Sequence, residues 1–312
     1  MNDNKTSKNS IVAKFAVPIS FLILFFLAAN FTDCDLVTFW KRRNHLTDLV
    51  VDMIPPDFSY IQKILLPLFY TIQMSVTGTV LGTFFALVLS PFGAANLGFP
   101  AVIRRILRIV IQILRSFPAL ILALTATFLF GLGTFAGTFA ITLYTFAIMT
   151  KLTYEDASAA DVKAYQALRA MGVSKYVAYI HGILPEIIPG FLTNALYLLE
   201  TNVRHSSILG YVGAGGIGLL LNEKISWLEY DKVGTILLML FLTVCVIEYF
   251  SRYLAALIRK ERTIKKEQAR LLLLFLAALF LICTFTLSLP DFSRTSPQTL
   301  RNMFAGFLQP DW

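Results

Sequence analysis

Four polar residues, Glu200, Asn202, Arg204 and His205, stand together at the end of a long apolar stretch. On a helix, Glu200 and Arg204 are four residues apart and therefore share a face. A charged side chain at the centre of a bilayer costs about 3 kcal/mol or more, so such residues face a bundle interior or a water-filled path. Two hypotheses follow: an internal ion pair that fixes helix packing, or a lining that offers hydrogen-bond donors to an anion.

In the second hypothesis the donors are Arg204 and His205. An arginine fork donates to two oxygens at once, which suits a phosphonate or phosphate group. A path must release what it admits, so we expect weak affinity here. The sequence predicts no catalytic residue, metal site or bound cofactor, because it has no Ser-His-Asp arrangement, paired carboxylates or ligand cluster with metal spacing.

The elements that position these residues must lie in a membrane. The chain has 312 residues, of which 56% are apolar and only 15% charged, and its mean hydropathy is +0.68. A soluble domain has about a quarter of its residues charged, so too few charges remain here to cover a globule. Cys34, Cys245 and Cys283 are far apart and imply no disulfide framework. A soluble enzyme, a disordered tail and a disulfide-rich domain are excluded, and an all-α polytopic membrane protein is predicted.

About 20 mainly apolar residues cross the hydrocarbon as a helix. By that measure the sequence predicts about seven transmembrane helices: Ile11–Phe31, Ile64–Leu89, Ile106–Phe130, Phe135–Thr150, Ile187–Leu209, Val233–Ile258 and Leu271–Leu289. The third and fourth are joined by a tight turn at Gly131–Thr134, and Pro118 is expected to kink the third.

The placement of Lys and Arg sets the orientation. With the N-terminus inside, two thirds of the 27 basic residues fall on the cytoplasmic side, and so does the loop 152–190. The net charge of +8 is then explained by topology and anionic lipid, and no nucleic-acid partner is expected.

The loop between the fourth and fifth helices has its own pattern. Alanines from Ala157 onward predict a helix that ends at Gly172, where a left-handed backbone favours glycine. A second short helix over Val173–Ile183 is predicted to end at Leu184-Pro185, before Pro189-Gly190 opens the next span. An exposed face of Ala and Tyr suggests a docking surface for another protein. The alternative is a helix pair packed only on its own bundle.

This loop resembles the EAA motif of ABC importer permeases, a cytoplasmic signature that docks on the ATPase subunit. Its Gly and Leu-Pro spacing is kept, whereas Gln166, Leu168 and Gly182 stand where the family usually has Glu, Ala and Ile. The resemblance and the loop pattern together assign ATPase docking to seven residues: Gln166, Ala167, Leu168, Gly172, Tyr176, Leu184 and Pro185.

A second resemblance narrows the family. The run Glu200–Gly218 and the segment Leu114–Pro118 are similar to phosphonate-type permeases, over roughly Ile64–Ile258. This implies a type I ABC importer fold in a bacterial inner membrane and a chain that is not itself an enzyme. It also implies a second permease copy or paired permease, two ATPase subunits that carry ATP and Mg, and an extracytoplasmic binding protein. Methionine or another small solute is an alternative cargo, and a membrane-embedded lipid-acting enzyme is a remote alternative.

Four glycines, Gly213, Gly215, Gly216 and Gly218, follow the polar cluster. They do not match a nucleotide-binding loop, because no strand precedes them and no Gly-Lys-Ser/Thr ending is present. Glycines at this density allow close backbone approach, either for helix packing or for a re-entrant gate near the outer mouth.

Three regions are predicted along the chain. Residues 1–63 form a cytoplasmic tail, the first helix and an external segment, residues 64–258 form the core permease domain, and residues 259–312 form a basic linker, an extra helix and an external tail. The last region resembles the start of a second permease unit, since Gln309–Trp312 matches Pro55–Phe58 at a similar distance from an apolar helix. The alternative is coincidence between two Pro-containing exits.

Overall fold

The computed structural model describes residues 3–32, 40–259 and 266–287. Every regular element in these ranges is helical. The α-helices are α1 Asp3–Phe31, α2 Arg43–Asp52, α3 Ile61–Gly93, α4 Ala101–Ser116, α5 Ala119–Phe130, α6 Thr134–Ala159, α7 Lys163–Ala170, α8 Lys175–Gly182, α9 Leu184–Leu209, α10 Ile217–Ser226, α11 Tyr230–Ile258 and α12 Lys266–Phe285. Short 3₁₀ turns lie at Phe58–Tyr60 and Gly210–Val212.

The chain divides into two compact units, Met1–Pro55 and Pro56–Trp312. The first contains α1 and α2, and the second contains the other helices. In α1, the large apolar side chains over residues 19–27 are exposed, as suits a helix that faces lipid. Most of the predicted terminal repeat, residues 288–312, lies outside the described residues.

The predicted count of about seven spans is not confirmed by the described residues. Among the described residues, three helical stretches are long and apolar enough to cross a membrane: Phe58–Gly93, Thr134–Ala159 and Tyr230–Ile258. Two bent pairs raise the number to five if each pair counts as one span. Among the residues whose side chains the structure describes, α1 and α12 contain shorter apolar stretches, Pro18–Phe31 and Leu276–Phe285.

The predicted third span is broken. Helices α4 and α5 meet at a bend of 95°, and Phe117 between them has an extended backbone (φ −86°, ψ 128°). Pro118 causes this, since its ring disfavours a helical residue before it and it has no N–H to donate. The predicted kink at Pro118 is therefore confirmed, but a continuous helix over Ile106–Phe130 was wrong.

Helices α3 and α6 run parallel at the centre of the second unit. A Cβ atom at Gly78 would lie 2.7 Å from the Ile141 side chain, and one at Gly82 would lie 2.7 Å from the carbonyl oxygen of Thr142. The two glycines therefore bring the helix axes close together, as small residues do in membrane bundles. An apolar cluster that includes Met74, Ala123, Ala126, Ala140 and Leu209 fills the space between α3, α5, α6 and α9.

The boundaries of the loop helices differ from the predicted ones. Helix α6 runs to Ala159, so the first loop helix begins only at Lys163, where the Asp161 carboxylate accepts from the backbone N–H of Lys163 at 3.0 Å. Helix α9 begins at Leu184, so Pro189 lies inside it and does not open it. Pro185 suits this start because the first turn of a helix needs no N–H from it.

Candidate functional site

The predicted docking loop forms a helical hairpin, α7 and α8 with the turn between them (Lys163–Gly182), here called the α7–α8 hairpin. Gly172 has φ +84°. The N–H of Val173 donates to the carbonyl of Leu168 at 3.2 Å, and that of Gly172 to the carbonyl of Arg169 at 3.1 Å. These two bonds form a Schellman motif, so Gly172 ends α7 as predicted.

Two tyrosines attach the hairpin to the end of α3 and to the loop that follows it. The Tyr165 hydroxyl donates to the carbonyl of Leu97 at 2.7 Å, and the Tyr179 and Ser90 hydroxyls lie 3.4 Å apart. Both tyrosine side chains are buried. The predicted exposed face of Ala and Tyr is therefore wrong for these residues, because their hydroxyls find partners in the bundle.

We expect Tyr165→Phe to weaken this attachment. The buried Leu97 carbonyl would lose its hydrogen bond, at a cost of about 1–3 kcal/mol in the free energy of unfolding. Unfolding of the purified chain in detergent measures the loss. Tyr176→Phe is the matched control, since Tyr176 makes no hydrogen bond that the described residues record. Its ring contacts, with Phe92 at 6.3 Å and Tyr179 at 6.4 Å between centroids, are kept by Phe. Equal losses in both variants would contradict the expectation.

The seven predicted docking residues divide into two groups. Gln166, Ala167, Gly172 and Pro185 are exposed. The other three, Leu168, Tyr176 and Leu184, are partly buried; Leu168 and Leu184 pack on the cluster below the hairpin.

Three exposed apolar side chains of the hairpin lie outside the seven predicted docking residues. Met171 is 71% exposed, and Val177 and Ile180 are also exposed. Their spacing gave a signal, because Val177 and Ile180 are three residues apart on α8 and opposite the buried Ala178 and Tyr179. These three side chains and Ala167 are here called the outer face of the hairpin.

The predicted polar cluster of α9 does not act as one group. Glu200 and Arg204 form an ion pair on a face where Tyr197 and Ile208 are exposed. The Glu200 side chain is 13% exposed, whereas that of Arg204 is 51% exposed. The guanidinium is therefore paired and also accessible from outside this chain.

Asn202 points the other way, into the bundle. It is fully buried, and its Nδ2 donates to Thr79 Oγ1 and Thr145 Oγ1, both at 2.8 Å. His205 takes a third direction, with its ring edge-to-face on Tyr144 at 5.3 Å between centroids. Of the four residues, only Glu200 and Arg204 contact each other in the hydrogen bonds and ion pairs that the described residues record.

A buried row of hydroxyl groups on α3 was missed. The row is Thr71, Ser75 and Thr79, spaced four residues apart and buried. The Ser75 hydroxyl lies 2.7 Å from that of Ser206 on α9. A Ser/Thr side chain every fourth residue in an apolar helix was the available signal, since it places the hydroxyls on one face.

The glycine segment lies against the first turns of α6 and α10. Gly213, Gly215 and Gly216 have φ of +83°, +80° and +73°. The N–H of Gly133 donates to the Gly213 carbonyl at 3.0 Å, and that of Ile217 donates to Thr71 Oγ1 at 2.8 Å. A hydrogen bond therefore joins the end of the glycine segment to the hydroxyl row of α3.

Gly218 sits in a backbone-to-backbone contact. A Cβ atom there would lie 1.8 Å from the Ser207 carbonyl oxygen and 2.9 Å from the Cα of Gly210. No side chain fits between the end of α9 and the start of α10. This geometry agrees with close backbone approach for helix packing. The re-entrant gate near the outer mouth stays a prediction.

An ionic cluster lies at the opposite end of α3 from the hairpin. Lys224 Nζ lies 2.9 Å from Glu223 and 3.1 Å from Glu229, and above the Tyr60 ring at 5.6 Å. Hydrogen bonds from Lys232 and then Lys224 lower the pKa of the Glu229 carboxyl, which stays ionised. Among the described residues, no group of three or more His, Cys, Asp or Glu side chains is placed to hold a metal ion.

The bundle is similar to solved ABC importers. The methionine ABC transporter MetNI in an inward facing conformation matches with a TM-score of 0.57 and 20% identity, over 65% of this chain and 99% of that chain. An amino acid ABC transporter with histidines matches with a TM-score of 0.51 and 17% identity over the same shares. The fold is that of the transmembrane subunit of a type I ABC importer, as predicted.

The sequence comparison gives the family. Residues 78–263 match the model of the binding-protein-dependent transport system inner membrane component, and the chain belongs to this family. The phosphite transport system permease protein PtxC of Stutzerimonas stutzeri is 31% identical over 70% of this chain and 79% of its own length. The phosphate-import permease protein PhnE of Mycolicibacterium smegmatis is 31% identical over 65% of this chain and 38% of its own length.

Proposed function

We propose that this permease subunit carries a phosphorus oxyanion, phosphite or a phosphonate, across the membrane. The observation that carries the proposal is Arg204, a guanidinium that is half exposed on the open face of α9 and held by Glu200. A fork of N–H donors fits the oxygens of such an anion. The relatives named as phosphite and phosphate permeases support the same cargo class.

The path has to bind this anion weakly. Glu200 neutralises part of the charge of Arg204, so the guanidinium offers hydrogen-bond donors without binding the anion tightly. Selectivity then resides mainly in a separate extracytoplasmic binding protein, which delivers the anion to this subunit. The glycine segment Gly213–Gly218 would close the path on the outer side.

The driving force comes from a pair of ATPase subunits. They bind ATP and Mg, whereas this chain binds no cofactor. Their docking surface would be the outer face of the α7–α8 hairpin, with Gln166, Ala167 and Met171 at its centre. A second permease copy completes the path.

The hairpin end of the bundle would face the cytoplasm, together with the N-terminus. Four basic residues lie in or beside the hairpin: Lys151, Lys163, Arg169 and Lys175. A concentration of Lys and Arg, counted without regard to acidic residues, marks the cytoplasmic side of inner-membrane proteins.

A charge swap tests the role of Arg204. The subunit, its ATPase and its binding protein are reconstituted in vesicles, and ATP-driven uptake of phosphite, methylphosphonate, phosphate and methionine is compared. Arg204→Glu alone should abolish uptake, because it places two carboxylates four residues apart. The double variant Glu200→Arg with Arg204→Glu restores the ion pair and should restore folding.

The double variant decides between the two hypotheses. If Arg204 contacts the anion, uptake stays at least 10-fold below the wild type, as expected for the loss of a charged hydrogen bond worth about 1.5–3 kcal/mol. Full recovery of uptake would show that the pair only fixes helix packing. Uptake of methionine instead of the phosphorus anions would contradict the proposed phosphorus oxyanion cargo.

A further inference from the structure

Helix α4 presents a long apolar stripe that no other described residue covers. Its members are 45% to 68% exposed and recur at helical spacing: Val102, Ile106, Ile109, Val110 and Ile113. The helix has 16 residues and is about 24 Å long, and the stripe from Val102 to Ile113 covers about 17 Å of it. An exposed apolar surface of this length on a helix needs an apolar partner.

The other sides of α4 are basic or packed on the bundle. Arg105 is exposed and Arg104 half-buried, and neither has an ion-pair partner in the part of the chain that the structure describes. Arg108 instead holds the helix in place, since its Nη2 donates to the Gly93 carbonyl at 2.9 Å and its guanidinium lies over the Tyr154 ring at 5.1 Å. The helix contains no Asp or Glu.

The position of α4 along the bundle follows from Gly93, the last residue of α3. Helix α3 has 33 residues and is about 50 Å long, which exceeds the roughly 30 Å hydrocarbon core. Its Gly93 end therefore reaches the membrane surface on the hairpin side. Arg108 fixes the middle of α4 at this level, and the 95° bend turns α4 away from the direction of α5.

We infer that α4 is an interfacial helix that binds anionic phospholipid in the cytoplasmic leaflet. The isoleucine stripe lies at the level of the upper acyl chains, while Arg104 and Arg105 contact the phosphate groups. Charge complementarity favours lipid over a second copy of the chain, because the helix combines an apolar face with a polar face that carries arginines and no Asp or Glu. The inference uses the proposed sidedness and is independent of the cargo.

Spin labels on α4 test the position of the helix. Single cysteines at Ile106, Ile109, Ile113, Arg105 and Gln112 are labelled in a full-length chain without Cys34, Cys245 and Cys283, in vesicles of phosphatidylglycerol and phosphatidylcholine. The three isoleucine positions should be accessible to oxygen at one shallow depth, and the two polar positions accessible to a water-soluble nickel complex. A depth that increases steadily along α4 would mean a spanning helix, and an oxygen-inaccessible stripe would mean a second copy. Either result overturns the inference.

Lipid titration tests the basic face. The double variant Arg104→Gln, Arg105→Gln should bind phosphatidylglycerol roughly 30-fold more weakly than the wild type, at about 1 kcal/mol per basic residue. The readout is thermal stabilisation in detergent by added phosphatidylglycerol. Lys163→Gln, an exposed lysine of the hairpin, is the control and should leave the affinity unchanged. A lipid site would be contradicted if phosphatidylglycerol stabilised the double variant as much as the wild type. It would also be contradicted if inorganic phosphate stabilised the wild type as much as phosphatidylglycerol does.

Discussion

Replacing Gly218 by alanine is expected to prevent the native bundle from forming. The added Cβ would lie 1.8 Å from the Ser207 carbonyl oxygen, much closer than van der Waals contact. This oxygen belongs to the backbone and cannot move aside by a change of rotamer. Ordinary overpacking costs 1–3 kcal/mol. A clash between two backbone segments exceeds this, and we expect about 4 kcal/mol or more. Most of the variant should appear as aggregate on size-exclusion chromatography in detergent.

Gly190→Ala is the control for this prediction. Gly190 lies in the same subunit, inside α9, with no atom within 4 Å of a built Cβ. Alanine is favoured over glycine within a helix by about 0.5–1 kcal/mol, so this variant should be as stable as the wild type or slightly more stable. A monodisperse and active Gly218→Ala protein would show that the α9–α10 junction is looser than the structure has it.

Replacing Ala167 by tryptophan should abolish ATP-driven uptake without unfolding the chain. Ala167 is exposed on the outer face of α7, so the folded subunit can accept a large side chain there. A docked ATPase would meet a side chain that does not fit its surface, and complementary packing is what a stable interface requires. We expect at least a 10-fold loss of both ATPase co-purification and uptake.

Ala167→Ser is the matched control for the docking surface. It keeps the size of the side chain at the same position, so ATPase binding and uptake should remain near the wild-type level. Thermal unfolding of both variants in detergent should match that of the wild type. If Ala167→Trp supports normal uptake, the ATPase does not dock on this face of the hairpin.

The length of apolar runs predicted the main helices well. The runs at Ile64–Leu89 and Val233–Ile258 lie within α3 and α11, because twenty apolar residues in a row leave the backbone little alternative to a helix in lipid. The left-handed turn at Gly172 was also predictable, since only glycine adopts it at low cost.

The sequence predicts α4 and α5 as one span because the isoleucines of α4 outweigh its arginines, and the structure breaks this run with a 95° bend. A count of apolar residues does not record that Arg104, Arg105 and Arg108 share one side of the helix. The 95° bend at Pro118 then depends on where α4 packs, and the sequence near the bend does not specify the angle.

The directions of the α9 side chains depend on packing as well. Glu200, Asn202, Arg204 and His205 are close in sequence, yet the rotation of the helix about its axis sends Asn202 inward and Arg204 outward. That rotation is set by partners far along the chain, Thr79 and Thr145, so local sequence reasoning grouped residues that the fold separates.

The amide of Asn202 restricts how this subunit can change shape. One Nδ2 group donates to a hydroxyl on α3 and to a second on α6, both at 2.8 Å. A displacement of α9 by one helical turn, about 5.4 Å, would break both bonds and leave the polar groups bare in an apolar interior. The three helices should therefore pivot as one solid block. In the proposed transport cycle, α3, α6 and α9 would then tilt together, with no slippage between these three helices.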